Sequence, residues 1–411
     1  MLRGGKTFVG FGFGPIQSAL FLYEAHCSGN FDRYVIAEVD AALVDAVRAG
    51  GGRYSINIAH PDRIEQVVVD GVRLCDPSGE SDRDELVEAI AVADEMATAL
   101  PSVRFYDAGD VTSVARLLAD GLERRDPSKP GIIYAAENHN RAAEILAELL
   151  NATVPADRLA NVQVLNTVVG KMSGVITDVE TIRRLSLAPL TSDTPRAVLV
   201  ERFNHILVSR VKLDGFQRGI EVFVEKDDLL PFEEAKLYGH NAIHALIGYL
   251  AHLRGLTTMA QAVQHDDIMT TARAAFIDES GASLVKKYAH LGDPLFTTGG
   301  YRAYADDLIE RMVNPNLNDL VERITRDACR KLGYDDRLFG TMRLALAQGI
   351  EPIQIAQGAA AALMGITDNA PHTREDVGTK LREVWGDQTD EFADHLIALT
   401  WEAMETLRDK T

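Results

Sequence analysis

A strand, a glycine-rich turn and a helix open the chain, in that order. Lys6 to Phe11 (KTFVGF) reads as a β-strand, Gly12-Phe13-Gly14-Pro15-Ile16-Gln17 as a tight turn, and Ala19-Leu20-Phe21-Leu22 as the start of an apolar helix. A dinucleotide-binding fold needs this order, although glycine-rich turns are common. It places the unpaired N–H groups and the positive dipole end of a helix beside the carboxyl end of a buried strand, where a pyrophosphate can bind. Gly12 makes the turn and Gly14 lets backbone approach the phosphates. Pro15 suits a first helical position, which needs no N–H. Gln17 replaces the third glycine of the GxGxxG pattern, so the motif alone is weak. A second strand, Tyr34 to Val39, supports it. Glu38 near its end lies 38 − 12 = 26 positions after Gly12, about the offset at which an acid reaches the ribose hydroxyls of a dinucleotide. A carboxylate there repels a 2′-phosphate, which favours NAD over NADP.

Further along, Gln66 to Val69 and Val72 to Leu74 flank Asp70-Gly71 and predict a hairpin. Helical Glu85 to Leu100 precedes a strand at Val103 to Tyr106, and helical Val114 to Leu122 precedes one at Gly131 to Tyr134. Val162 to Val169 and Ala197 to Val200 read as further strands, with a surface loop at Arg183 to Arg196. Phe203 to Val211 and Phe216 to Val224 can extend the sheet. Such alternation predicts an α/β fold with a Rossmann-like doubly wound sheet. After Leu229 the chain reads as nearly all helical, broken at Gly281, Gly292 to Pro294, Gly299-Gly300 and Gly349 to Pro352. The expected organisation is a dinucleotide-binding domain over 1–200 and a mainly α-helical domain over 201–411.

Two polar clusters invite chemistry. Ala136-Glu137-Asn138-His139-Asn140 follows the strand at Gly131 to Tyr134, as an active-site element or as a helix N-cap. The second is Lys236 to His244 (KLYGHNAIH). At 100° per residue, Lys236, Asn241 and His244 fall within roughly 140° of one another on a helix. That helix is otherwise apolar on nearly every side, hence buried. Burial favours the neutral amine of a lysine and equips it to act as a base near neutral pH. The plainer alternative is a solvated lysine at a helix start and packed histidines. His240 and His244 stand at the spacing of an HExxH zinc helix, but Asn241 occupies the position of the glutamate, so no metal is expected.

Hydrophobic content of 46%, charged content of 25% and a formal charge of −19 mark an ordinary acidic globular chain. That balance argues against nucleic acid or an anionic membrane as partner. Cys27, Cys75 and Cys329 are widely spaced, which suits a reducing compartment. The N-terminus lacks the apolar core of a signal peptide, and no apolar run reaches the roughly 20 residues that span a bilayer. A cytoplasmic monomer or small homo-oligomer is the expectation.

The chain resembles the polyol-specific long-chain dehydrogenases, the mannitol dehydrogenase family, over nearly its whole length. The resemblance rests on Lys-x4-Asn-x2-His at Lys236, Asn241 and His244. It is supported by FGFGPIQ (Phe11 to Gln17), AENHNRA (Ala136 to Ala142), VERF (Val200 to Phe203), GASLVKKY (Gly281 to Tyr288) and the stretch Asn314 to Leu338. It implies NAD-dependent, metal-independent hydride transfer between a sugar alcohol and its keto form, with mannitol 1-phosphate or a related polyol phosphate as substrate. Lys236 is then the general acid/base, Asn241 and Asn138 stabilise the developing alkoxide, and His244 orients a neighbouring hydroxyl. Gly12, Phe13, Gly14, Pro15, Ile16, Glu38 and Glu137 are the implied cofactor contacts. Two departures stand out, Gln17 and the stretch Val169-Gly170-Lys171-Met172, where the family often carries an aspartate. An unphosphorylated polyol or sugar-acid dehydrogenase, or a non-catalytic NAD-binding sensor, are the alternatives. Arg311, Arg323, Arg326, Arg330, Lys331 and Arg337 are candidate phosphate contacts.

Overall fold

Alternation of buried residues along the first strands dictates the architecture of the N-terminal half. Phe8, Tyr34, Ile36, Ile132 and Tyr134 enter one apolar core, while their neighbours Val9, Val35 and Ile133 enter another. Strands buried on both faces belong to a parallel sheet covered by helices on each side. The computed structural model describes residues 5–366 and 371–409 and divides the chain into two compact units, Met1–Leu229 and Leu230–Thr411.

Unit 1 contains twelve strands among its described residues: β1 (Lys6–Phe11), β2 (Phe31–Ala37), β3 (Tyr54–Ala59), β4 (Ile64–Val69), β5 (Val72–Cys75), β6 (Glu95–Thr98), β7 (Gly131–Ala135), β8 (Val162–Val168), β9 (Ser173–Ile176), β10 (Ala197–Glu201), β11 (Leu207–Ser209) and β12 (Val224–Lys226). The larger sheet runs β12-β11-β8-β7-β6-β1-β2-β5. From β8 to β5 every pairing is parallel. Numbered among themselves, these six strands have the order 3-2-1-4-5-6, the doubly wound dinucleotide-binding topology. The strand order reverses between β1 and β6, so the glycine turn after β1 sits at the point where such sheets bind ligands. The smaller sheet, β4-β3-β10-β9, is inserted between β2 and β5 and completed from later in the chain.

Three local expectations are corrected. Residues on either side of Asp70-Gly71 are strands but do not pair with each other. β4 pairs with β3, and β5 pairs with β2, so the turn, with Gly71 at φ +71°, carries the chain from one sheet to the other. The true hairpin is β3–β4. Val103–Phe105 is a 3-10 turn, and the strand at that stage is β6, Glu95–Thr98. Its sequence, EMAT, has helical propensity that pairing with β1 and β7 overrides. Gly281 breaks nothing, since it lies inside a continuous helical run. A β-carbon on it would meet the Tyr301 ring at 2.5 Å and the Phe276 carbonyl at 2.8 Å, so this glycine serves close packing.

Unit 2 is helical. Its central helix runs from Leu230 to Leu253 and is buried on all sides over Ala245 to Ala251. Helix Ile353–Ile366 packs on it through small residues, and a β-carbon at Gly358 would come within 3.1 Å of Leu246. No described helix is long and apolar enough to cross a membrane.

Candidate active site

The glycine turn is held from three directions. Gly12 adopts φ +81°, a conformation costly for any residue with a β-carbon, and its N–H donates to the Ala37 carbonyl at 2.9 Å. Glu38 Oε2 accepts from Phe13 N–H at 2.7 Å, while Oε1 accepts from Asp40 N–H at 2.8 Å. The Phe13 ring is buried edge-to-face on Tyr54, 4.9 Å between centroids, a contact worth about 0.5–1.5 kcal/mol beyond the area it buries. Pro15 opens the helix, as expected, and Ser18 N–H donates back to the Gly14 carbonyl at 2.9 Å. Gly14 itself is exposed, with nothing within 4 Å of where its β-carbon would stand. Open space over a glycine at a helix N-terminus fits a pyrophosphate, and the Glu38 carboxylate lies beside that turn, bonded to Phe13 N–H. These residues therefore fit a dinucleotide.

Glu137 and Asn138 follow β7. Glu137 is buried, and its carboxylate accepts from Thr98 Oγ1 at 2.9 Å, Leu100 N–H at 2.8 Å and the Tyr106 hydroxyl. Burial raises its pKa against those bonds. It ties the segment after β6 to the end of β7. Asn138 is exposed in the loop beyond. The helix that follows, Ala142–Thr153, takes no side-chain cap from its own N-cap, Arg141. Its Ala143 N–H is instead capped by Asn166 Oδ1 of β8 at 2.8 Å.

In unit 2 the helix carrying Lys236 is not α-helical throughout. Ala235–Asn241 is a π-helical turn between α-helical Leu230–Glu234 and Ala242–Leu253. Where hydrogen bonds run from i to i+5 the turn is wider, and residues five apart stand closer in angle than on an α-helix. Lys236 and Asn241 are five apart. The wider turn thus narrows the angle between two side chains that an ordinary helix would splay. The carbonyl of Tyr238 accepts from Ser280 Oγ at 2.8 Å and Thr341 Oγ1 at 3.1 Å, which anchors the bulge. Gly239 lets Tyr301 and Phe276 close on it, since a β-carbon would meet the Tyr301 hydroxyl at 2.6 Å.

Electrostatics in this turn favour neutral groups. Lys236 is lowered to about 8 by burial first and then by the charge of Arg337, against a smaller opposing effect of Glu233. His240 is driven well below its usual value by burial and by the charges of His244, Arg311, Lys236 and Arg337. His244 stands one turn on, its Nε2 2.9 Å from Asp319 Oδ2. Of the six candidate cations, Arg326 and Arg330 are exposed and paired with Glu322 and Asp336. Arg323 is bound to Asp319, and Lys331 donates to the carbonyls of Ile324 and Arg326. Arg311 and Arg337, with side chains only 15% and 14% exposed, are the two whose charges reach His240. Among the described residues, three potential metal ligands cluster only at Cys75, Asp82 and Glu85. Both acids there are engaged by Arg48 and Arg73, and burial pushes the thiol up to about 11.

The model of the mannitol dehydrogenase C-terminal domain matches residues 228–383. Mannitol-1-phosphate 5-dehydrogenase of Bacillus licheniformis is 31% identical over 357 residues, 86% of each chain. The chain belongs to the mannitol dehydrogenase family. The enzyme of the same description from Shouchella clausii is 29% identical over 342 residues, 82% of this chain and 83% of that one. Among solved structures, D-sorbitol dehydrogenase in substrate-free form superposes with a TM-score of 0.76 at 15% identity, covering 100% of this chain and 95% of that one. Pseudomonas fluorescens mannitol 2-dehydrogenase, a ternary complex with NAD and D-mannitol, superposes with a TM-score of 0.70 at 16% identity, covering 99% and 93%. The fold is shared with both.

Two features of this family member escaped the sequence. The π-turn had a signal only in the roughly 140° that separates Lys236 from Asn241 on a regular helix. Asp319 had none, since it lies 75 residues from His244. At the other departure, buried Lys171 donates to the carbonyls of Glu201 and Phe203 at 2.6 and 2.7 Å.

Proposed function

We propose that this protein is an NAD-dependent polyol dehydrogenase that interconverts a phosphorylated sugar alcohol, such as mannitol 1-phosphate, and its keto form. The observation that carries the reading is Lys236, lowered to about 8 within a π-turn that also carries Asn241. An amine with that pKa can accept a hydroxyl proton near neutral pH and return it in the reverse direction. Bound NAD supplies the hydride acceptor. The chain's own residues do the rest. Gly12, Phe13, Gly14, Pro15 and Ile16 cradle the pyrophosphate, and Glu38 receives the ribose hydroxyls. Glu137 keeps the segment after β6 in place. Lys236 takes the proton from the substrate hydroxyl. Asn241 and Asn138 donate hydrogen bonds to that oxygen as charge builds on it, and His244 orients the next hydroxyl. No step is routed through a metal, because the lysine and the amides supply both the proton transfer and the electrostatic help.

Support for a phosphorylated substrate comes from Arg311 and Arg337, the two largely buried cations next to His240. Arg337 spends Nε on Asp336 at 2.8 Å. Among the described residues its Nη groups have no hydrogen-bond partner, and such a fork suits a phosphate. The test is a panel of paired phosphorylated and free polyols with NAD, followed by absorbance of NADH. Preferred oxidation of a phosphorylated member is the expected result. Turnover of free polyols or sugar acids alone would overturn the phosphate assignment. NADH binding without oxidation or reduction of any member would make the protein a sensor.

A further inference from the structure

His244 has a partner that decides what its ring can do. Its Nε2 lies 2.9 Å from Asp319 Oδ2, and the other carboxylate oxygen, Oδ1, accepts from Arg323 Nε and Nη2 at 2.9 and 2.6 Å. The Asp319 side chain is 5% exposed and that of His244 14%. The aspartate is also fixed by its backbone. Asn318 before it adopts φ +48°, a left-handed conformation that asparagine tolerates better than most residues. The Asp319 carbonyl accepts from Met259 N–H at 2.9 Å. A strained residue, a buried acid and a cross-chain tether together make a rigid mount rather than a chance surface pair.

We propose that Asp319 is a positioning residue that holds His244 as its Nε2–H tautomer, so that Nδ1 meets a substrate hydroxyl as a hydrogen-bond acceptor. The inference rests on the reading of His244 given above. A carboxylate can only accept, so the nitrogen facing it must carry the proton. Burial works against the charged form of Asp319, but the hydrogen bonds from His244 and Arg323 and the charge of Arg323 outweigh it and keep the acid ionised. Among the described residues Nδ1 of His244 has no hydrogen-bond partner, which leaves its lone pair for a ligand. Arg323 serves the same end. By saturating Oδ1 it leaves only Oδ2 to the histidine and fixes the carboxylate plane.

Asp319→Asn tests this directly. Arg323 requires an oxygen, so the amide nitrogen of the new side chain turns toward His244. The ring must then accept at Nε2 and carry its proton on Nδ1, the wrong tautomer for accepting from a hydroxyl. Three measurements on the full chain decide the matter. Ring-nitrogen NMR, with His244 assigned by its disappearance in His244→Gln and followed to the pH at which ring signals stop changing, should show Nε2–H in the native protein. It should show Nδ1–H in Asp319→Asn. Arg323→Gln leaves both carboxylate oxygens in place and should keep Nε2–H, which guards against a variant that fails to fold.

With NAD and the preferred polyol, Asp319→Asn should lose roughly 10- to 100-fold in kcat/KM, the range expected when a buried hydrogen-bond acceptor for the substrate is turned into a donor. Most of that loss should appear in KM, with NADH affinity unchanged. In a His244→Ala background the same substitution should cost nothing further. Nδ1–H in the native protein, an unchanged tautomer in Asp319→Asn, or losses that add in the double variant would each overturn the proposal. Native turnover in His244→Ala would instead sink the role of the histidine itself.

Discussion

The Gln17 amide occupies the space that a side chain on Gly10 would need. A β-carbon at Gly10 would stand 2.1 Å from Gln17 Nε2 and 2.7 Å from Ile36 Cδ1. The third glycine of a dinucleotide turn exists to let helix and strand approach closely. Here the missing atoms are on the strand instead of the helix. The exchange has a cost, because Gln17 is fully buried and neither polar atom of its side chain has a hydrogen-bond partner among the described residues. Gln17→Met keeps the unbranched shape and removes both polar atoms. Urea unfolding should show a gain of about 1–3 kcal/mol, the usual cost of an unsatisfied amide, and Gly10→Ala should destabilise. A lower midpoint for the methionine variant would mean that the amide bonds to an ordered water in solution.

How much of this was legible follows from the range of each interaction. The first two parallel strands and the glycine turn between them could be read because a short motif and an apolar run are local properties. β6 could not, because EMAT forms a strand only through β1 and β7 on either side of it. The exchange between Gly10 and Gln17 was visible only as a defect until the two faced each other. Lys236, Asn241 and His244 were found by their spacing. The π-turn that carries the first two is anchored by hydroxyls from Ser280 and Thr341, 42 and 103 positions from Tyr238, and no periodicity carries that information.

Glu38 binds the turn through Phe13 N–H and is proposed to meet the ribose, so its removal should act on cofactor choice. Glu38→Ser removes the charge that repels a 2′-phosphate and the acceptor for Phe13 N–H. Fluorescence titration should show NADH binding weakened and NADPH binding less so, with the preference for NADH falling about tenfold or more, equivalent to ~1.4 kcal/mol. An unchanged ratio would remove Glu38 from the ribose site.

Arg337 should separate phosphorylated from free substrates. Hydrogen bonds to a charged group are worth about 1.5–3 kcal/mol, so Arg337→Met should raise KM for the phosphorylated polyol roughly 10- to 100-fold. KM for the free polyol should change little. Equal losses with both would assign the arginine to packing.

Glu279 is a buried acid whose oxygens accept from Gln354 and Ile355 N–H at 2.6 and 2.9 Å, at the start of helix Ile353–Ile366. Burial raises it from 4.5 to about 7 in spite of those bonds. Because the folded value is raised, its contribution to stability is complete below about pH 4.5 and is lost as pH climbs through about 7. The swing is on the order of 3 kcal/mol. Glu279→Gln does not titrate, so its stability relative to the native protein should improve by up to that amount between pH 5 and 8. A constant difference across that range would show that the helix N–H groups fully offset the burial.

Lys236 sets the sharpest expectation, because its pKa enters the rate itself. Held at about 8 instead of 10.5, the amine is mostly charged at pH 6 and mostly neutral at pH 9. Oxidation needs the neutral form, so kcat/KM for the polyol should rise about tenfold per pH unit up to pH 8 and then level. Reduction of the ketose needs the ammonium and should fall over the range in which oxidation levels. Lys236→Ala should lower turnover by ~10² to 10⁴ and erase the inflection, with NADH binding preserved. The neighbours give the sign a second check. Arg337 disfavours the ammonium and Glu233 favours it, so Arg337→Met should move the inflection to higher pH and Glu233→Gln to lower pH. An inflection that stays in place in both variants, or survives in Lys236→Ala, would belong to another group and leave the lysine without its role.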